Sequence, residues 1–181
     1  KPNGENINLG CGALEIEGLL KIVEETNCDY GAAFDGDGDR CVFVSKKYGV
    51  IETEKLAALF LEHMFRNKLT KKIVASEISN LGLKENISKL GGELLETEVG
   101  DRFVINKVNE INANFGFEPS GHFFFPNLNS SMDGFATFLM FISLVESRGE
   151  LFEKDLLKLK HYKRESIDLN INDVDQDLLN K

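Results

Sequence analysis

The 181-residue sequence predicts an α/β fold, a mixed, mostly parallel sheet layered with helices. Three observations carry this. Short apolar runs rich in Val, Ile and Phe alternate with longer runs of helical periodicity. The connections between them are brief and concentrate Gly, Asp and Asn. A hydrophobic fraction of 42% beside 28% charged residues suffices for one good-sized core or two small ones.

After a turn-rich start, "KPNGENIN", Leu14, Leu19, Leu20, Ile22 and Val23 recur among glutamates at close to helical spacing, predicting a helix over 14–26. "DYGAAF" and "CVFVS" flank an acidic loop as two strands, or as one strand bent around it. Thr53 stands as N-cap before "EKLAALFLEHMFRNKL", with acid early and base late as the helix dipole favours. "KIVAS" follows as a strand, "GLKENISKL" as a helix stopped by Gly91-Gly92, and "GELLETEV" as a strand. "RFVINKVNEIN" reads as a helix, "FGFE" and "HFFFP" as short strands, and Asp133 as the cap of a helix over 134–148. A break near "SKKYGVIE" divides the chain into 1–46 and 47–160, and 161–181 reads as a strand and linker leading toward a further domain. The chain is thus expected to be a piece of something longer.

Net charge and cysteine usage narrow the function. A net charge of −9 excludes a general nucleic-acid or anionic-membrane binder, which needs basic faces to displace counterions. Any phosphate ligand must then be held by local cations. Cys11, Cys28 and Cys41 form no Cys-x-x-Cys pair, which suits reduced thiols and a cytoplasmic setting and argues against zinc. The longest apolar run, "GFATFLMFISLV", is too short to span a membrane and reads as a buried helix.

Three loops carry candidate chemistry. In "DGDGDR" at 35–40, Asp35, Asp37 and Asp39 crowd three charges into six positions. Such crowding needs open water or a bound cation. An EF-hand loop is excluded, because Arg40 stands where its glycine belongs, Lys46 where its glutamate belongs, and strands rather than helices flank the segment. The remaining readings are a solvated turn and a magnesium seat, with the glycines permitting the backbone angles that convergence on one cation requires. Arg40 either contacts a phosphate on that cation or simply offsets the aspartates. In "GDRF" at 100–103, Asp101 suits a helix cap, whereas Arg102 opposes the dipole and so calls for an anionic partner. In "GFEPSGHFFF" at 116–125, Glu118, Ser120 and His122 alternate on a turn shaped by Pro119 and Gly121. They suit either sugar hydroxyls or an ordinary hairpin with an exposed acid and a packed histidine.

Taken in this order, the three loops resemble the α-D-phosphohexomutases: Asp-Gly-Asp-Gly-Asp-Arg, then Gly-Asp-Arg-Phe-Val, then a sugar loop of the form Gly-Glu-x-Ser-Gly-His. "NINLGCG" at 6–12 and "SEISNLGL" at 76–83 look like the bacterial phosphoglucosamine mutase branch. The sugar loop departs from that branch at Phe117 and Pro119, where Gly and Gln are common. The resemblance implies middle domains of the phosphoglucomutase type: the end of domain 2 in 1–46, closing with the metal loop, and domain 3 in 47–160. It implies that Asp35, Asp37 and Asp39 bind Mg2+ and that Arg40, Asp101 and Arg102 serve phosphoryl transfer. Glu118, Ser120 and His122 would hold a hexose or hexosamine phosphate. The implied reaction interconverts glucosamine 6-phosphate and glucosamine 1-phosphate through a phosphoserine and a bisphosphorylated sugar. A phosphomannomutase or phosphoglucomutase of the same family is the near alternative, and a noncatalytic Mg2+- or sugar-binding module the distant one. Neither the family's phosphoserine loop nor its C-terminal phosphate clamp is found, so the remaining domains are expected elsewhere in the same polypeptide and this piece to be inactive alone. A homodimer of the full-length protein stays open.

Overall fold

The structure is a computed structural model that describes residues 3–66 and 71–165, with side chains described at all of these except 65 and 66. Helix α1 (Glu17–Thr26) leads into an antiparallel meander, β1 (Tyr30–Phe34), β2 (Cys41–Ser45) and β3 (Gly49–Ile51), in that spatial order. Then follow α2 (Thr53–Arg66), β4 (Lys72–Ser76), α3 (Leu81–Lys89), β5 (Glu93–Thr97), α4 (Asp101–Ile111), β6 (Phe115–Phe117), β7 (Phe123–Phe124), α5 (Gly134–Arg148) and, after a 3-10 turn, α6 (Phe152–Lys158). The second sheet runs β5-β4-β6-β7, parallel except for β7.

The predicted α/β class and the alternation of elements are what is observed, with local differences. Residues 14–16 stay outside α1. Helix α2 includes Thr53, because the Glu52 carbonyl already accepts from the Leu56 N–H, so the helix starts one residue before the predicted site. Strand β3 pairs with β2 from Phe43↔Ile51 to Ser45↔Gly49, so the meander continues past the expected division at 46/47. Helix α6, absent from the sequence reading, forms because Phe152 and Leu156 one turn apart are both fully buried. The expected strand over 161–181 lies largely outside the described residues, and 161–165 show no strand.

Burial explains the layering. Along β4, Ile73 and Ala75 face a large cluster with α2, α3 and α5, whereas Val74 faces Val104 and Val108 of α4 on the other side. A strand buried on both faces is what a parallel sheet between helical layers demands. The large cluster is aromatic: Phe60 meets Phe123 and Phe125 edge-on at 5.3 and 5.8 Å, and Phe43 stacks on Phe141 at 4.1 Å. Phe43 belongs to the meander and Phe141 to α5, so this stack, with the Tyr30 hydroxyl donating to Glu153 at 2.7 Å, packs the meander against the second layer. Side chains of this size contribute roughly 1.5–3 kcal/mol each when fully buried.

The order β5-β4-β6 arises from a crossover β4-α3-β5 to one side and a crossover β5-α4-β6 back past β4 to the other, with α3 and α4 on opposite faces of the sheet. The loops leaving β4, β5 and β6 therefore emerge along one edge, the carboxyl end of the parallel strands, where open α/β sheets bind ligands.

Candidate active site

The acidic loop connects β1 to β2 and folds around Asp35. The Asp35 Oδ1 accepts from the backbone N–H groups of Gly38 and Arg40 at 3.1 and 3.2 Å, an Asx-type closure made feasible by Gly38 at φ +78°. From the other side the loop meets the first residue of α5. The Gly134 N–H donates to the Gly38 carbonyl at 3.0 Å, and Asp133 caps the same helix by accepting from the Ala136 N–H at 2.9 Å. The electropositive end of a fifteen-residue helix thus abuts the acidic loop.

The sugar-loop candidate reaches the acidic loop directly. Arg40 and His122 form an antiparallel bridge, extended by the Cys41 N–H donating to the Gly121 carbonyl at 3.1 Å. Gly121 has φ +99°, and a Cβ there would stand 2.9 Å from a Val42 methyl, so glycine is required for the two loops to meet. At the contact, Arg40 Nε lies 3.2 Å from Asp35 Oδ2 and 3.0 Å from His122 Nε2, and His122 Nε2 lies 3.3 Å from Asp39 Oδ2. His122 Nδ1 faces Glu118 Oε2 at 3.1 Å and Ser120 Oγ at 3.0 Å. Glu118 itself is buried, 5% exposed, and its Oε1 accepts from the Gly100 N–H at 2.9 Å. All three motif loops are therefore joined by one chain of polar contacts.

Ligand atoms of Asp35, Asp39 and His122 all lie within 4.8 Å of one another, and Asp37 is exposed at the loop tip outside that set. Partial burial opposes ionisation at Asp35, but the Arg40 N–H, the Asp39 carboxyl and the Arg40 charge outweigh it and hold the group below the ordinary carboxylate range. Burial drives Asp39 the other way, upward, with Asp35 and Asp37 adding repulsion and His122 opposing. Asp39 Oδ1 is also buried without a hydrogen-bond partner. A carboxylate oxygen left orphaned beside two other acids suits a hard dication, whose charge and coordination would satisfy it.

Asp101 and Arg102 are brought near this chain only through Gly100. Asp101 is exposed, its Oδ1 accepting from the Arg102 N–H at 2.6 Å, and Gly100 rather than Asp101 occupies the N-cap position. The Arg102 guanidinium lies over the Phe103 ring, 4.6 Å from its centre, which holds the charge at the helix start. Phe117 points into the core, fully buried and stacked on Phe123, so the departure at that position is a packing residue. Sequence reasoning missed the part played by Gly134 and the Gly100 amide. Asp133-Gly134 signals a helix start, but nothing local says what the helix start touches.

A profile of the family "Phosphoglucomutase/phosphomannomutase, alpha/beta/alpha domain III" matches residues 52–162. Phosphoglucosamine mutase of Limosilactobacillus reuteri is 34% identical over 175 residues, covering 96% of this chain and 39% of that protein. The enzyme of the same name from Citrifermentans bemidjiense is 36% identical over 148 residues, covering 81% of this chain and 33% of the other. The chain thus spans well under half the length of these relatives. Among solved structures, a phosphoglucomutase/phosphomannomutase family protein of Burkholderia thailandensis superposes with TM-score 0.73 at 25% identity, covering 82% of this chain and 32% of that one. N-acetylphosphoglucosamine mutase of Aspergillus fumigatus, solved with GlcNAc-6P and magnesium, shares the fold at TM-score 0.67 and 18% identity, covering 88% of this chain and 42% of that one. The chain belongs to the phosphoglucomutase/phosphomannomutase, or phosphohexomutase, family.

Proposed function

We propose that this chain is the central part of a phosphosugar mutase that interconverts glucosamine 6-phosphate and glucosamine 1-phosphate by way of a phosphoserine and a bisphosphorylated sugar. The observation that carries the reading is the direct junction of the acidic loop with the Glu118–His122 loop through Arg40, Asp39 and His122. That junction supports reading the three as a cation seat, an arginine beside it and a sugar-facing turn. The branch assignment rests on the relatives named phosphoglucosamine mutase at 34% and 36% identity.

In this reading Asp35, Asp37 and Asp39 hold Mg2+, which when bound would withdraw charge from the phosphoryl oxygens. The orphaned Asp39 oxygen supports such a seat, and the relative solved with magnesium makes that ion the natural candidate. Arg40, braced by Asp35 and His122, presents a guanidinium that cannot lose its proton to the transferred group, and such charge placement is the main lever in phosphoryl transfer. Arg102, exposed at the α4 start, would meet a second anionic group of the same substrate, with Asp101 beside it lining the cleft. The Ser120 hydroxyl and the Glu118–His122 pair would orient sugar hydroxyls. The phosphoserine and the clamp for the distal phosphate come from other domains of the same polypeptide, so the 181-residue piece is inactive alone. The working place is the cytoplasm; among the described residues no helix is long and apolar enough to cross a membrane.

The test is a set of coupled assays on the full-length protein with glucosamine, mannose and glucose phosphates, comparing kcat/KM. The reading requires the largest value for the glucosamine phosphates. A preference for mannose or glucose phosphate moves the protein to another branch of the family. Turnover by the isolated piece would overturn the division of labour.

A further inference from the structure

We infer that the open edge of β1 is the docking edge for a further strand, parallel to β1 and apolar on both faces, supplied by the same polypeptide ahead of residue 1. The inference rests on the proposed function only in taking the chain as part of a longer protein. It begins from an internal repeat. Val23, Glu25, Asn27, Gly31 and Gly36 recur as Val108, Glu110, Asn112, Gly116 and Gly121, every pair separated by the same length of sequence. The geometry repeats as well. Helices α1 and α4 both end on a left-handed asparagine, Asn27 at φ +58° and Asn112 at φ +52°. Each is followed by a strand whose second residue is glycine, and that strand pairs antiparallel with the next, β1 with β2 and β6 with β7. A Cβ on Gly31 would stand 2.7 Å from Val23 and 2.9 Å from Leu19, and one on Gly116 would stand 2.7 Å from Val108 and 2.6 Å from Val104. Leu19 and Val104 hold equivalent places in the repeat, so helix lies on strand in the same way twice.

The two copies differ at the other edge of the strand. In the second, the Glu118 N–H donates to the His122 carbonyl at 3.0 Å, so by alternation Gly116 also bonds to β7, and Phe115 and Phe117 turn their backbone groups to β4, their parallel neighbour. In the first, the Lys46 N–H donates to the Asp29 carbonyl at 2.9 Å, so Gly31 and Ala33 bond to β2 while Tyr30 and Ala32 turn theirs outward. Strand β1 is the end strand of its sheet, and no strand among the described residues pairs with that side. Exposure follows the difference: Phe115, Gly116, Phe117 and Val104 are buried, whereas Tyr30, Gly31, Ala32 and Leu19 are half-buried. A groove of about 280 Å3 runs beside them, lined in part by Leu19, Ile22, Ala32, Ala33 and Phe34, with Ile22 55% and Phe34 36% exposed.

Strand β4 shows what fits such an edge. Val74 lies opposite Gly116, its Cβ 3.3 Å from where a glycine Cβ would stand, and clusters with Val104 and Val108, while Ile73 and Ala75 face the other layer. The occupant of the β1 edge therefore carries a β-branched residue opposite Gly31, against Leu19 and Val23, with apolar residues on either side of it. Its place in the chain follows too. A parallel neighbour needs a crossover of a dozen or more residues. Strand β4 comes ahead of α4 and β6, and residues 3–29 hold α1 but no strand, so the matching strand belongs ahead of residue 1. The match to the Limosilactobacillus reuteri enzyme covers 39% of that protein, which leaves room for it. Pairing there would also brace the acidic loop, because Asp35 directly follows the last residue of β1.

Hydrogen exchange of the full-length protein reads the pairing directly. The outward amides of Tyr30 and Ala32 are expected to show protection factors within about tenfold of those of Gly31 and Ala33, which bond to β2. Protection lower than that overturns the inference. Protection of Tyr30 and Ala32 that falls on dilution assigns the edge to a second copy of the chain and overturns it as well. In the 181-residue chain alone the two outward amides should lose their protection while Gly31 and Ala33 keep theirs, and protection retained there rules out a preceding segment as the partner. Ala32→Pro removes a donor from the outward side only, so in the full-length protein it should speed exchange at Tyr30 by about tenfold or more. Unchanged exchange at Tyr30 would reveal a cover that is not a strand, again overturning the inference. If the shorter chain or A32P does not fold, the wild-type full-length pattern still decides. Exchange is read without substrate or metal, so this pairing and the proposed mutase activity stand or fall separately.

Discussion

Replacing Gly134 with alanine sets two physical expectations against each other. The residue opens α5 and its φ lies outside the left-handed region, so its backbone suits alanine. On propensity and unfolded-chain entropy alone, Gly134→Ala should stabilise by roughly 0.4–1 kcal/mol. A Cβ at this position, however, would stand 2.6 Å from the Arg40 carbonyl oxygen and 2.7 Å from that of Gly38. Both obstacles are backbone, and both belong to the acidic loop, so relief means moving the loop by more than half an ångström or pulling the helix start away. Overpacking of this kind costs about 1–3 kcal/mol. The balance is a net loss of about 1 kcal/mol, which for a chain of this size lowers Tm by roughly 2–4 °C. The larger consequence is for the cation. Mg2+ demands near-ideal octahedral geometry, so a displaced loop should bind it at least about tenfold more weakly, about 1.4 kcal/mol. Thermal melts and calorimetric Mg2+ titrations of the two chains check both parts. A raised Tm with unchanged Mg2+ affinity would show that the α5 start does not seat the loop, and would refute the reasoning.

Asp133→Ala removes the cap that accepts the Ala136 N–H and should cost about 1 kcal/mol at neutral pH by denaturant unfolding. That bond, with the Asn129 amide, holds the Asp133 pKa below its ordinary value against partial burial, so its stabilisation is complete above the unfolded pKa of about 4 and fades as pH falls through the lower folded value. The variant should therefore lose less stability than wild type on acidification; a parallel acid limb would contradict this. Asn86→Ala strips the Lys160 backbone of two hydrogen bonds, since the Asn86 side chain accepts from the Lys160 N–H at 3.0 Å and donates to its carbonyl at 2.8 Å. A loss of about 1–3 kcal/mol is expected, with faster amide exchange confined to residues near 160 and 162. Asp39→Ala and Asp37→Ala, each titrated with Mg2+, should both weaken binding, and an Asp37 variant that binds like wild type would leave the seat to the Asp35, Asp39 and His122 cluster.

Much of the site was legible in the sequence because its parts are local. Three acids spaced by two with glycines between them define a loop, and an arginine next in line defines its neighbour. Glu118, Ser120 and His122 fall within five residues, and the bonds among them are short-range. Arg102, whose place at a helix start calls for an anion, lies over the ring of the adjacent Phe103 and stays exposed.

The sequence by itself determined the class of fold, the order of elements and the chemical character of each loop, since periodicity, caps and turn residues act within a few positions. Tertiary structure alone decided that Arg40 pairs with His122 across 82 intervening steps of chain, that Gly100 hangs on Glu118, and that Gly134 presses on the acidic loop. The reason lies in the crossovers. Placing β4 between β5 and β6 brings the Gly100 and Glu118 loops to one edge, and the acidic loop of the meander joins them through the Arg40–His122 bridge and the α5 start. Such neighbours are set by layer packing around shared aromatic residues, which no local pattern encodes.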